Sequence, residues 1–216
     1  MKTMKLSLLA LATLLSFSLS NAQTGIGLQA GYDMSTPVYN GTSGKSLNGF
    51  HVGPTYDLTI QGPIGLQYGL LYNYLTATET GSYLNGGVTY TSKATAHRLD
   101  LPVRLTVSFP LSPGISAFVA GGPNFNYAFS QSVDKFTNYF DSASGVSEGK
   151  NIYTAEYESG KKTYAPFDVQ LGLGAGLKFN NAGIRVTYDW GVLDRDNRDD
   201  SKWTNNDLKV GLFYNF

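Results

Sequence analysis

The sequence predicts an all-β fold: an eight-stranded antiparallel transmembrane β-barrel with short periplasmic turns and long extracellular loops. Three observations predict it. An apolar leader opens the chain, apolar residues then recur at every second position in eight separate runs, and the connections between runs alternate between short and long. A membrane strand has one face in lipid and the other in the lumen, so alternation over about ten residues is its signature.

The leader comes first. Lys2 and Lys5 precede an apolar stretch over 6–19, and Ser20 and Ala22 stand three residues and one residue before a cut that leaves Gln23 first. This is the pattern of a secretory signal peptide. The apolar run is shorter than the ~20 residues a spanning helix needs. The expected organisation is a signal peptide over 1–22 and one barrel domain over 23–216, in the bacterial outer membrane. Composition agrees. Charged residues are 15% of the chain, well under the roughly 25% of soluble domains, while Gly (25) and Tyr (15) are abundant. Zero net charge leaves no footprint for nucleic acid. The absence of cysteine excludes disulfides and thiolate chemistry.

The first run, 24–34, sets Ile26, Leu28, Ala30, Tyr32 and Met34 against Gly25, Gly27, Gln29, Gly31 and Asp33. The second, 48–60, sets Phe50, Val52, Tyr56, Leu58 and Ile60 against His51, Thr55, Asp57 and Thr59. The third, 64–78, has Ile64, Leu66, Tyr68, Leu70, Tyr72 and Tyr74 outward, with Leu71 and Leu75 breaking the pattern. In the fourth, 93–108, Leu99, Leu101, Val103, Leu105 and Val107 oppose Arg98, Asp100, Arg104 and Thr106. The fifth, 115–129, turns Ala117, Val119, Phe125, Tyr127 and Phe129 outward and Ser116, Asn124 and Asn126 inward. The sixth, 165–179, alternates Phe167, Val169, Leu171, Leu173, Ala175, Leu177 and Phe179 with Asp168, Gln170, three glycines and Lys178. The seventh, 183–193, pairs an Ile184, Val186, Tyr188, Trp190, Val192 face with Arg185, Thr187 and Asp189. The eighth, 206–216, sets Leu208, Val210, Leu212, Tyr214 and Phe216 against Asp207, Lys209, Gly211 and Asn215.

Pro54, Pro102 and Pro123 fall inside runs. Each removes a ladder donor and is expected to mark a bulge or irregular pairing. The short connections 61–63, 110–114 and 180–182 are rich in Pro, Gly and Asn, as tight turns are. The long ones, 35–47, 79–92, 130–164 and 194–205, are polar. A soluble exported barrel or sandwich also alternates, but with its apolar face inward. The Gly-rich polar face and the aromatics near run ends (Phe50, Tyr72, Tyr74, Phe109, Phe129, Phe167, Phe179, Trp190, Phe216) favour lipid outside and a crowded lumen within.

The parity of the runs sends Arg98, Arg104, Lys178, Arg185 and Lys209 into the lumen with Asp33, Asp57, Asp100, Asp168, Asp189 and Asp207. Eight strands enclose a space that side chains nearly fill, and charges removed from water need partners. A plug of paired charges is expected; a narrow ion path along the same groups is the alternative. The longest loop carries Phe136, Tyr139, Phe140, Tyr153 and Tyr157 among charges of both signs. These suit recognition of a protein or glycan partner, or else they pack together or extend the strands.

The acidic run at 194–200 resembles a calcium loop only in part. Asp194, Asp196 and Asp200 match its first, third and seventh positions. Arg198 stands fifth, Asp199 replaces the turn glycine, and Asn205 replaces the bidentate acid. A solvated loop and no metal are expected. Catalysis has little support, and neither a cofactor nor an enzyme activity is expected. His51 reads as lumenal near the outer rim, His97 as outward, and no Gly-x-Ser-x-Gly is present.

The last strand, LKVGLFYNF at 208–216, resembles the C-terminal assembly signal of bacterial outer-membrane proteins, with Leu212, Tyr214 and Phe216 as its apolar positions. More broadly, GIGLQAG at 25–31, GFHVG at 49–53, GLLYNY at 69–74, LDLPV at 99–103, AGGP at 120–123, GLGAG at 172–176 and YDWGVL at 188–193 resemble the PorT-like outer-membrane β-barrel family common in Bacteroidetes. That resemblance implies a barrel. Its namesake takes part in assembling a secretion system, so a machine component is one implied role beside a surface scaffold. The expected partners are outer-membrane lipid and lipopolysaccharide, the barrel-assembly machinery during insertion, and a protein or glycan at the loops.

Overall fold

The computed structural model describes residues 24–83, 88–139, 143–147, 149–158 and 160–216. The expected signal peptide, 1–22, lies outside them. The strands are β1 (Thr24–Tyr39), β2 (Leu47–Gln61), β3 (Ile64–Gly69 continuing as Leu71–Tyr83), β4 (Val88–Ser112), β5 (Ile115–Tyr139), β6 (Phe167–Phe179), β7 (Ala182–Gly191) and β8 (Trp203–Asn215). Each is antiparallel to its neighbours in sequence, and β1 also pairs with β8 from Gly27↔Asn215 to Tyr39↔Trp203, so the order forms a ring of eight. The short connections are tight turns. Each holds one residue in the left-handed region: Gly62 (φ 57°), Gly114 (φ 77°) and Asn180 (φ 52°), residue types that tolerate it.

The faces are inverted relative to a soluble barrel. Leu173 and Leu212 are 62% and 67% exposed on the outside, whereas Asp33, Asp100, Asp168 and Asp207 are 0% exposed inside. That inversion excludes the soluble reading, because apolar side chains would otherwise face water all round. Phe109, Phe179, Tyr214 and Phe216 are exposed toward the turn end. Tyr32, Phe50, Phe129, Phe167 and Trp190 are exposed toward the loop end. These are the two girdles of a membrane barrel. Leu71 and Leu75, which broke the third run, point inward; Leu75 packs with Leu47 and Ala96.

The prolines act where expected. The interruption of β3 at Leu70 lies between Pro54 of β2 and Pro102 of β4: direct pairing stops at Thr55↔Gly69 and resumes at Val52↔Tyr72. On the other side it stops at Tyr68↔Val103 and resumes at Leu71↔Asp100. One bond, Leu70 N–H to Pro54 O at 3.0 Å, bridges the gap. The β4–β5 ladder likewise skips from Pro102↔Asn124 to Leu105↔Gly121, the stretch that holds Pro123. A residue without an N–H cannot complete the ladder.

Two expected loops are corrected. The stretch 79–92 is mostly strand: β3 and β4 stay paired to Tyr83↔Val88. The beginning of 130–164 is strand too, because β4 and β5 stay paired to Val88↔Tyr139, and Ala143–Ser147 returns alongside β5. These segments are rich in Thr, Tyr and Val, which favour the pleat. They are polar on both faces, so hydropathy alternation cannot reveal them. The β4–β5 register slips twice, between Pro110↔Ser116 and Ser112↔Ile115 beside the tight turn, and between His97↔Ser130 and Arg98↔Ala128. The second bulge holds Phe129, whose ring lies 5.9 Å from His97 on the outer surface.

Candidate functional site

The lumen is organised around Lys209 of β8. Its Nζ lies 2.9 Å from Asp100 Oδ2, 3.5 Å from Asp207 Oδ2, 3.7 Å from Asp189 Oδ2 and 4.0 Å from Asp33 Oδ2. Arg98 Nη2 is 3.4 Å from Asp33 and 3.3 Å from Asp207, and its Nη1 donates to Ser35 Oγ at 3.0 Å. Arg104 pairs with Asp189 and donates to Gly122 O. Amides complete the lattice. Asn126 and Asn124 donate to Asp100 at 2.5 and 3.2 Å, and Gln170 donates to Asp207 at 3.0 Å. Glycines make the room: a Cβ on Gly172 would collide with Asp189 and Arg104. The void left among Gln29, Gln67, Asp100, Arg104, Arg185 and Lys209 is about 20 Å³, room for roughly one water.

At the loop end the lumen is capped. Arg195, within the acidic run, is fully buried. Its guanidinium stacks 4.5 Å from the Trp203 ring and donates to Tyr153 Oη at 2.6 Å and to Ala165 O at 3.2 Å. Its Nη1 lies 4.0 Å from Asp168. Tyr164 closes edge-on over Trp203 at 5.0 Å, and Tyr39 stacks on the same indole at 5.8 Å. The acids of the run are engaged locally. Asp194 Oδ1 accepts from Asp196 N and Trp203 N at 3.0 and 2.9 Å, and Asp196 grips Arg198 at 2.6 Å. Hydrogen bonding from Arg198 holds the Asp196 carboxyl below its ordinary value.

The remaining sequence-derived residues separate by place. Asp33, Arg98, Asp100, Arg104, Asp168, Arg185, Asp189, Asp207 and Lys209 are buried in the lumen. Asp57 and Lys178 sit half-buried at the turn end, outside the central lattice. His51 lies deeper than the rim, where Gln29 Nε2 donates to its Nε2 at 3.1 Å. His97 faces outward and meets Tyr72 Oη at 2.7 Å. Tyr153 is buried in the cap, so it is not an exposed recognition residue: its loop folds back over the mouth. Tyr157 is exposed on a small strand pair, Glu156–Glu158 with Lys161–Lys162, tied by two ion pairs of 2.6 Å. The side chains of Phe136, Tyr139 and Phe140 lie outside the described residues. Leu212, Tyr214 and Phe216 are exposed along the outer face of β8.

Sequence reasoning missed three groups. Phe118 and Phe213 point inward and flank Arg185, each ring 5.1 Å from its guanidinium. Their parity was visible, since both alternate with outward residues. Arg195 was hidden within an apparent solvent loop.

A family model for the outer membrane protein beta-barrel domain matches residues 8–196. The chain belongs to this family. This outer-membrane barrel accordingly resides in the bacterial outer membrane. No curated protein matches its sequence. Among solved structures it is similar to Neisserial surface protein A (14% identity, TM-score 0.46, covering 91% of this chain and 100% of that chain). It is also similar to Ail, the attachment invasion locus protein of Yersinia pestis (17% identity, TM-score 0.39, covering 89% and 99%). A third is the outer membrane enzyme PagL (10% identity, TM-score 0.44, covering 86% and 99%). The barrel joins a packed lumen to a loop end covered by the Arg195 cap.

Proposed function

We propose that this outer-membrane barrel is a non-conducting scaffold that presents its extracellular face to a protein or glycan partner. The observation that carries the reading is the filled lumen. Five buried carboxylates (Asp33, Asp100, Asp168, Asp189, Asp207) stand within 4.0 Å of four buried cations (Arg98, Arg104, Arg195, Lys209). Paired charges hold one another in place, whereas a conducting path needs exchangeable water and unpaired sites. The presenting surface is the strand pair Glu156–Glu158 and Lys161–Lys162, where Tyr157 is exposed and Lys161 stands 5.9 Å over its ring. The exposed outer face of Leu212, Tyr214 and Phe216 suits recognition by the barrel-assembly machinery, and the girdles suit lipid and lipopolysaccharide.

An enzymatic role is not proposed. His51 is held by Gln29 inside the packing and His97 sits among outward aromatics. The resemblance to PorT-like barrels supports a second reading, a component of a secretion or assembly machine, for which the strand extension beyond Thr78 and Ser130 supplies a rigid platform.

The test is photo-crosslinking in intact cells, with a benzophenone side chain at Tyr157 or, as a control, at Leu173. A discrete adduct at Tyr157 alone is expected. An outer-membrane protein in that adduct would favour the machine. Identical diffuse labelling at both positions would contradict a presenting surface.

A further inference from the structure

The turn end of the lumen holds a second void, about 250 Å³ in volume, bordered by Gly62 and Pro63 of the first tight turn. Its charged lining is Arg185, Lys178 and Asp57. Asp57 is already engaged: Gln67 Nε2 donates to one oxygen at 2.5 Å and Asn215 Nδ2 to the other at 2.7 Å. Among the described residues no carboxylate lies within ion-pair distance of Arg185 or Lys178. Arg185 is 8% exposed and fixed between Phe118 and Phe213. Its Nη1 donates to the amide oxygens of Gln29 and Gln67, and its Nε is buried with no partner. The hydroxyls of Thr106 and Ser108 line the same wall.

A buried guanidinium without a counter-charge is costly. The central lattice holds each of its cations within 4.0 Å of a carboxylate; in this cavity Asp57 acts on Arg185 only from beyond ion-pair distance, its oxygens taken up by the two amides. We infer that the turn-end cavity is a binding site for a phosphate-type oxyanion, held by Arg185 and Lys178 and completed by the wall hydroxyls. Arginine donates to such anions through a rigid fork, and lysine adds a point charge. The cavity opens on the side of the short turns, so its ligand comes from the periplasm: free phosphate, or the headgroup of a phospholipid from the adjoining leaflet. The inference is independent of what the extracellular face binds.

The test is calorimetric titration of the refolded barrel in maltoside micelles, in phosphate-free buffer, with inorganic phosphate and separately with dihexanoyl phosphatidic acid. Saturable one-to-one binding is expected. Lys178→Gln should weaken it at least fivefold and Lys178→Glu should remove it, with heat-shifted gel migration showing both variants folded. Lys135→Gln, on the loop-end extension, should leave it unchanged. Tighter binding of phosphatidic acid identifies the headgroup as the source, and equal affinities identify the free ion; either ranking supports the site. A folded wild type without saturable heat, or a folded Lys178→Glu that binds as well as wild type, would overturn it.

Discussion

Lys209 Nζ stands within 4.0 Å of carboxylates from β1, β4, β7 and its own strand. Removing that cation leaves Asp33, Asp100, Asp189 and Asp207 facing one another in a low dielectric. Lys209→Met should therefore destabilise the barrel by about 3–5 kcal/mol, read as a shift in urea unfolding in lipid vesicles. Lys178→Met at the turn end should stay within about 0.5 kcal/mol of wild type; equal losses in the two variants would contradict the distinction. Gly172 contributes by lacking a side chain, and Gly172→Ala should cost about 1–3 kcal/mol by overpacking in the same assay. Asp196 titrates outside the membrane. Its folded pKa is depressed by Arg198, so the pair contributes fully above the unfolded value and is lost as pH falls through the depressed one. The Arg198 Nε–H resonance should then titrate with a midpoint below 3.8; a midpoint at or above it would count against the pair.

At the scale of the element, the spanning strands were legible because lipid and lumen impose opposite chemistry on alternate residues. The three prolines named the irregular places, and the Leu70 interruption follows from Pro54 and Pro102 on either side of it. What could not be read was polar on both faces or made by chain segments folding back. The extensions of β3, β4 and β5 carry Thr, Ser and Tyr on either side. The cap needs the 3₁₀ turn Ile152–Thr154 and residues 194–203 to meet over the mouth. An acidic run gives no hint that its arginine stacks on a tryptophan. The cap makes its own prediction. In a Trp190→Phe background, Arg195→Ala should shift Trp203 emission to longer wavelength and make it quenchable by acrylamide. Unchanged emission would mean that Arg195 does not hold the indole in place.

At the scale of the whole molecule, the barrel is built inside out: apolar girdles on the surface, polar lattice within. The inward charges of the spanning strands were legible by parity, but their pairings were not, because the narrow lumen brings together side chains from opposite sides of the ring. Arg98 of β4 thus meets Asp33 of β1 and Asp207 of β8. That lattice, covered by the Arg195 cap, is the basis for the non-conducting scaffold. The measurement that tests it most directly is single-channel recording of the refolded chain in planar bilayers, with heat-shifted migration to show folding. The lattice and cap predict a silent barrel in the wild type and in Arg195→Ala. Steady ohmic current whose size changes on Arg104→Gln or Asp189→Asn would contradict it and make the lumen a conducting path.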